Sequence, residues 1–334
     1  MPLPPPSRPV LVEAPRAPAV VVALPPAVVA AKPAAMADRQ DDAARVLREA
    51  LNAHDARKLA SAYSENAVIT SPGMPDAAGR AAIAAGAQNL FDAFSNFKYG
   101  VTRAWTKGDV VVSEWVGTGT HSGDFAGLKA TEKPVGWTAV SVRRFSPDGL
   151  IREEHVYWDT THVRSQIAAT VGKPYPMAVL PAGAPEIHVA ASTPGEDANV
   201  DVGRRISAAS NARNEGEMFG LYADTLERWH VGVPGPSKGK EDTKKGWRAF
   251  VAAFPDTSST VVDAWGVEDW VIEEAVLIGT QKGNFAGIAA TRKPITLHTL
   301  EIFQVKGGKV TRDWSCPSTP ELLIELGVLG PSKK

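Results

Sequence analysis

The chain has 334 residues, 36 Lys plus Arg against 37 Asp plus Glu, a formal net charge of -1 and 44% hydrophobic residues. That length suggests two domains with a core in each, and the balanced charge, without a basic stripe, excludes a protein that grips nucleic-acid phosphates. The longest apolar run, Ala19 to Ala31, is about 13 residues and is broken by Pro25 and Pro26, too short to span a membrane; the single cysteine, Cys316, rules out an internal disulfide or a multi-thiolate zinc site.

Residues 1–37 are dominated by Pro and Ala, with Arg8 and Arg16 ahead of the apolar run and Ala34-Ala35-Met36-Ala37 behind it. The prolines interrupt any signal-like core, so the segment is predicted to be a disordered tether on a cytoplasmic protein, with export as the alternative. Asp38 can cap a helix through about Ala53, in which Val46, Leu47, Ala50 and Leu51 recur at helical spacing. A short helix over Ala56–Tyr63, a brief strand over Val68–Thr70 and a third helix over Gly79–Phe94 follow. The period then changes to two. Strands are predicted over Phe97–Thr106, Val110–Thr120, Val135–Phe145 and Leu150–Trp158, with turns at Lys107-Gly108-Asp109 and Pro147-Asp148-Gly149.

The same pattern then starts again. GTHSGDFAGLKATEKP at Gly119 reappears as GTQKGNFAGIAATRKP at Gly279; Ala104-Trp105, Asp109 and Glu114 recur as Ala264-Trp265, Asp269 and Glu274. The chain is thus a tandem duplication, with units over 38–170 and 199–329 joined by a proline-rich spacer over 171–198. Helices followed by a strand meander give an α+β unit, and apolar residues on both faces of the strands predict that the units pack sheet against sheet as an internal pseudo-dimer.

Tyr63-Ser64-Glu65-Asn66, Gly79-Arg80, the glycine-rich hairpin and DGLIREEHVYWD resemble the SnoaL-like polyketide and ester cyclases of the nuclear transport factor 2-like superfamily, over about four-fifths of the chain. The resemblance implies two cone-shaped domains and aldol-type ring closure without metal or cofactor, with an aspartate at the end of the last strand as acid/base. Asp159 occupies that position. The histidine that the family commonly adds from the preceding strand is absent, since Trp137, Thr138 and Ala139 stand there.

Strict alternation puts Ile151, Glu153, His155, Tyr157 and Asp159 on one face of the last strand. If that face lines the cone, Asp159, with His155 and Glu153 assisting, is the candidate catalytic set, because a desolvated carboxyl is poised as a general base. A solvated strand edge is the competing reading. Tyr63, Trp105, His121, Phe125, Trp137, Tyr157 and Trp314 are candidate substrate-lining side chains, with core packing as the competing role for Trp105. In the second unit the same counting aligns Val310, Arg312, Trp314, Cys316 and Ser318 with that line, so the second site is expected to be degenerate, with Asp313 facing away and Arg312 pairing with Glu301. No metal set is expected from His155, Asp159 and His162, and the glycine-rich hairpin lacks the Lys-Ser/Thr ending of a phosphate loop.

These observations predict a protein that binds a small apolar molecule. One reading makes it a cofactor-independent cyclase, lyase or isomerase acting on a carbonyl compound; the other makes it a non-catalytic binding or scaffold protein of the same fold.

Overall fold

A computed structural model describes residues 34–168, 175–231 and 235–330. The tether predicted over 1–37 falls almost wholly outside the described residues. The first unit begins with α1 (Ala34–Ala53) and α2 (Ala56–Ser61), continues through β1 (Tyr63–Thr70), β2 (Ala77–Ala78) and α3 (Arg80–Ala93), and then runs the meander β3 (Phe94–Lys107), β4 (Val110–His121), β5 (Pro134–Phe145) and β6 (Ile151–Trp158) before α4 (Thr160–Ile167). After β7 (Glu186–Val189), the second unit repeats the series as α5 (Pro194–Asn211), α6 (Glu215–Gly220), β8 (Tyr222–His230), β9 (Ser237–Lys238), α7 (Lys240–Ala253), β10 (Ser258–Val267), β11 (Trp270–Thr280), β12 (Pro294–Lys306), β13 (Lys309–Cys316) and α8 (Thr319–Glu325).

Local chemistry sets the boundaries. Asp55 caps α2 through the Lys58 N–H, and Thr193 with Glu196 forms a reciprocal capping box on α5, with Pro194 in the first turn, where its missing N–H costs nothing. Gly149, at φ 84°, closes the turn into β6.

Each sheet curls over its helices. Strand order is β2-β1-β6-β5-β4-β3-β7 in the first and β10-β11-β12-β13-β8-β9 in the second, with β1 parallel to β6 and β8 parallel to β13. The stretch predicted as a spacer does more than connect. Its residues 186–189 pair in parallel with β3, and Ala178 donates its N–H to the Gly136 carbonyl, an approach that a side chain at Gly136 would block.

The two sheets pack face to face, as the apolar residues on both strand faces require. Trp105, Val112, Val140 and Val142 from the first unit meet Trp265, Trp270, Ile272, Leu300 and Trp314 from the second in one buried cluster. Trp105 packs edge-on against Trp270 at 5.3 Å, and the Arg103 guanidinium lies 4.3 Å from the Trp314 ring centre while pairing with Glu114 at 2.7 Å.

A charged knot closes the rim of this interface. Buried Glu274 of the second unit accepts from Arg144 Nη2 at 2.6 Å and Tyr157 Oη at 2.8 Å and lies 2.6 Å from His155 Nδ1, all three of the first unit. Burial disfavours the His155 imidazolium, but the hydrogen bond and charge of Glu274 outweigh it and the pKa is raised. Removing one member of so buried an ion pair strands its partner. Glu274→Ala is therefore expected to lower stability by about 3–5 kcal/mol, read by urea denaturation at pH 7. A loss under 1 kcal/mol would mean that the knot is replaceable by water.

Candidate functional site

One residue decides which side chains enter the cones. Arg144 pairs with Glu153 and Phe145 with Ile151, so Arg152 is an extra residue bulged out of β6; in the second unit Gln304 pairs with Arg312 and Val305 with Val310, so Thr311 is bulged out of β13. Each bulge reverses the alternation. Ile151 and Glu154 face the first cone, whereas Glu153, His155 and Tyr157 turn to the sheet-sheet interface.

The catalytic line read from the sequence is therefore divided. His155 bridges Glu153 (2.9 Å) and Glu274 (2.6 Å), and Tyr157 bonds Glu274, all at the interface. Asp159 lies past the end of the strand as the N-cap of α4, accepting from the Thr161 N–H at 2.8 Å, with His162 Nε2 3.6 Å away. Of the candidate lining residues, Trp105, Tyr157 and Trp314 also belong to the interface, because their strand positions point away from the cones. Tyr63, Phe125 and Trp137 do face the first cone. His121 is fully buried beneath the hairpin, 3.0 Å from Thr131 Oγ1, and desolvation lowers its pKa.

The first cone is filled. Trp137 packs on Phe94 (5.2 Å), Phe97 (5.7 Å) and Trp158 (5.7 Å), and Phe125 packs on Phe94 at 4.9 Å. Its one carboxylate and its one guanidinium are paired. Glu154 pairs with Arg143 at 2.8 Å and accepts from Tyr63 Oη, and Arg143 also donates to Ser113 Oγ at 2.7 Å. Only 4% of the Glu154 side chain and 9% of the Arg143 side chain remain accessible.

The second cone differs at the corresponding positions. Strand register aligns Ser113 with Glu273, Ser141 with Glu301, Glu154 with Asp313 and Ile69 with Arg228. Glu273 and Glu301 are direct cross-strand neighbours on the concave face, with the Glu273 carboxyl packed against α5 at Gly203. Arg228 Nη1 lies 3.0 Å from Asp313 Oδ2 and Arg228 Nη2 3.6 Å from Glu301 Oε1, which also accepts from Ser315 Oγ at 2.8 Å. Arg312, expected to pair with Glu301, instead pairs with Glu227 at 3.2 Å on the outside.

Glu301 Oε2 accepts no hydrogen bond, and Asp313 is held by the Arg228 charge at 3.0 Å. Burial together with the Asp313 charge pushes the Glu301 pKa well up. Solvent reaches this pair, since 27% of the Glu301 side chain and 19% of the Arg228 side chain remain accessible.

Side-chain volume is redistributed between the copies: Trp137, Trp115, Phe97 and Tyr99 of the first cone correspond to Leu297, Ala275, Thr257 and Ser259 in the second, while Ala60, Ala87 and Gly117 correspond to Phe219, Trp247 and Leu277. The apolar core of the second cone accordingly falls into two separate clusters, one around α5 and α6 and one around Phe254 and Leu326, whereas the first forms a single cluster.

Alternation counted without the bulge hid Asp313, whereas Glu273 lies on the unbroken β11 and was passed over, and Glu301 was read only as a partner for Arg312. The signal available in the sequence was the aligned repeat itself, in which two neutral serines become glutamates. Among the described residues no three His, Cys, Asp or Glu side chains converge as a metal site, and no helix is long and apolar enough to cross a membrane.

The SnoaL-like polyketide cyclase family model matches the chain twice, over residues 41–167 and 201–325. Similar solved structures include AclR from Streptomyces galilaeus (22% identity, 42% of this chain and 87% of that one, TM-score 0.39), IdmH from Streptomyces antibioticus (23%, 39% and 98%, 0.35) and TsrD from Streptomyces laurentii (20%, 40% and 97%, 0.37). No curated protein matches.

Burial pushes the Glu273 pKa up to about 7, with Arg204 opposing weakly. Between the ordinary glutamate pKa and about 7 the folded chain holds a proton that the unfolded chain has lost, so stability falls by about 3 kcal/mol as pH rises through that window. Glu273→Gln, which cannot ionise, is expected to raise the thermal midpoint at pH 8 and leave it nearly unchanged at pH 4. Equal shifts at both pH values would sever the effect from Glu273 ionisation.

Proposed function

The chain belongs to the SnoaL-like polyketide cyclase family in both of its halves, and on that premise we propose that it is an acid–base enzyme of the cyclase, lyase or isomerase kind, acting on an apolar carbonyl compound in its second cone. The first unit is then the scaffold against which the second is held. One observation carries this reading: 27% of the Glu301 side chain stays accessible while burial and the Asp313 charge raise its pKa, whereas the carboxylate of the first cone, Glu154, is closed in by Arg143 and Tyr63.

Glu301 is the carboxyl group a substrate can reach, since none of the Asp313 side chain is accessible, and its raised pKa makes it the stronger base for removing the proton from the carbon beside the carbonyl. Arg228, 3.0 Å from Asp313, adds positive charge beside the developing enolate. Apolar walls from Phe303, Leu226 and Val271 lower the local dielectric, which strengthens each of these interactions.

Hydrogen–deuterium exchange at the carbon beside the carbonyl of 1-tetralone, followed by NMR in D2O, tests the acid–base step without knowledge of the natural substrate. The wild-type chain is expected to exceed buffer, and Glu301→Gln to lose about 10²-fold or more of the excess. Asp159→Asn, which keeps an oxygen to cap α4, is expected to retain it. Loss in Asp159→Asn but not in Glu301→Gln would return the chemistry to the first unit. Exchange no faster than buffer would leave the binding or scaffold role.

A further inference from the structure

The outer edges of the two sheets are not finished alike. β7 leads into α5, the first helix of the second unit, yet it pairs in parallel with β3 of the first. It begins just past the bulge between Val101 and Arg103, sets the His188 ring 6.1 Å from Trp105 and 5.4 Å from Trp270, and is followed by Ala190, whose N–H donates to the Thr106 carbonyl. The segment ahead of the second unit thus closes the edge of the first. Among the described residues no strand returns the favour, because β10 is the last strand of its sheet.

β10 is built as β3 is. It carries the same bulge, between Val261 and Asp263, and leaves Val262 55% exposed there. The leading helices sit on both strands in one register. Asn52 of α1 brackets the Tyr99 N–H and carbonyl as Asn211 of α5 brackets those of Ser259, and Gln40 donates to the Gly108 carbonyl as Asn199 donates to that of Glu268. The step from Asn211 back to Asn52 equals that from Asn199 to Gln40, and it carries Pro185 onto Pro26, β7 onto residues 27–30 and Ala190 onto Ala31.

The composition and the surroundings agree with that register. Residues 27–30 read Ala-Val-Val-Ala, with a proline ahead of them as there is ahead of β7, where a strand tolerates a missing N–H. His188 of β7 lies 2.7 Å from Glu268 and packs on Trp270; Gly108 and Val110 stand at the matching places in the first unit, and Val29 at that of His188. The histidine is replaced by an apolar side chain where its carboxylate is missing. An open strand edge with an exposed valine is a template for another segment.

We propose that residues 27–30, which lie outside the described residues, add to β10 as a parallel strand, with Val28 opposite Ala264 and Val29 opposite Trp265. Each unit then supplies the strand that completes the other's sheet, and the two copies are clasped at both ends of their contact. The apolar run ahead of α1 is part of the second sheet and not only a tether.

Hydrogen–deuterium exchange at pH 7, read by mass spectrometry, tests this through the peptide spanning 258–267, with the peptide spanning 94–107, already covered by β7, as internal reference. Removal of residues 1–32 is expected to speed the slowest β10 amides about tenfold or more and to leave β3 unchanged. Val28→Pro/Val29→Pro in the full-length chain, which removes two backbone donors without shortening it, is expected to do the same. Should the shortened chain fail to fold by circular dichroism, the proline variant decides alone. β10 exchange that is unchanged in either folded variant overturns the inference, and so does equal acceleration of both peptides, since the loss is then of overall stability. β10 exchange that slows with protein concentration alike in wild type and variants also overturns it, because a second copy of the chain then occupies the edge.

Discussion

The sheet-to-sheet contact governs the rest of the molecule. Each sheet has to bury one face against its own helices and the other against its twin, so nearly every strand position is interior to something. Polar side chains then have three destinations: a cone, the interface or the rim. Glu274, Arg144 and His155 go to the rim of the interface, where the ions neutralise one another across the duplication. Glu154 and Arg143 do the same inside the first cone. In the second cone the balance fails, because three carboxyl groups stand against one guanidinium.

The fold was legible in the sequence because its signals are local and repeated. The copied hairpin fixed the duplication, the change of period from helical spacing to two marked the end of α3, and Gly108 and Gly149 marked turns the chain does make. Strand boundaries within the meander moved by only a few residues. Apolar residues on both strand faces called for the face-to-face pairing that Trp105 and Trp270 carry out. The proline-rich connection was harder to read, since β7 is only four residues long and is held by pairing with a strand some 80 residues earlier in the chain.

The site was not legible by the same means, because a β-bulge leaves no mark that alternation can detect. Arg152 and Thr311 are ordinary strand residues, yet each adds a single position that sends its successors to the opposite face. Glu153, His155 and Tyr157 read as a cavity lining only if the strand is unbroken. One error thus produced two results: it placed proton-handling groups in the first cone and removed Asp313 from the second. Position along the strand survived and facing did not, which is the expected failure when a period of exactly two meets a one-residue insertion.

Divergence between the copies follows from the cost of buried charge. Filling a cone with Trp137, Phe94, Phe97 and Phe125 stabilises it, each large aromatic contributing about 1.5–3 kcal/mol of burial. The second cone trades Trp137, Trp115 and Phe97 for Leu297, Ala275 and Thr257 but gains Phe219 and Trp247, so what it adds in cost is the desolvation of Glu273 and Glu301. A lone cone with those changes would be marginal. Fused to a filled copy through a buried cluster rich in tryptophan, it draws on a neighbour whose own cone is free of functional demands. Duplication in one chain lets the two halves differ in a way that a symmetric pair of identical chains cannot, because in such a pair every buried charge is paid for twice.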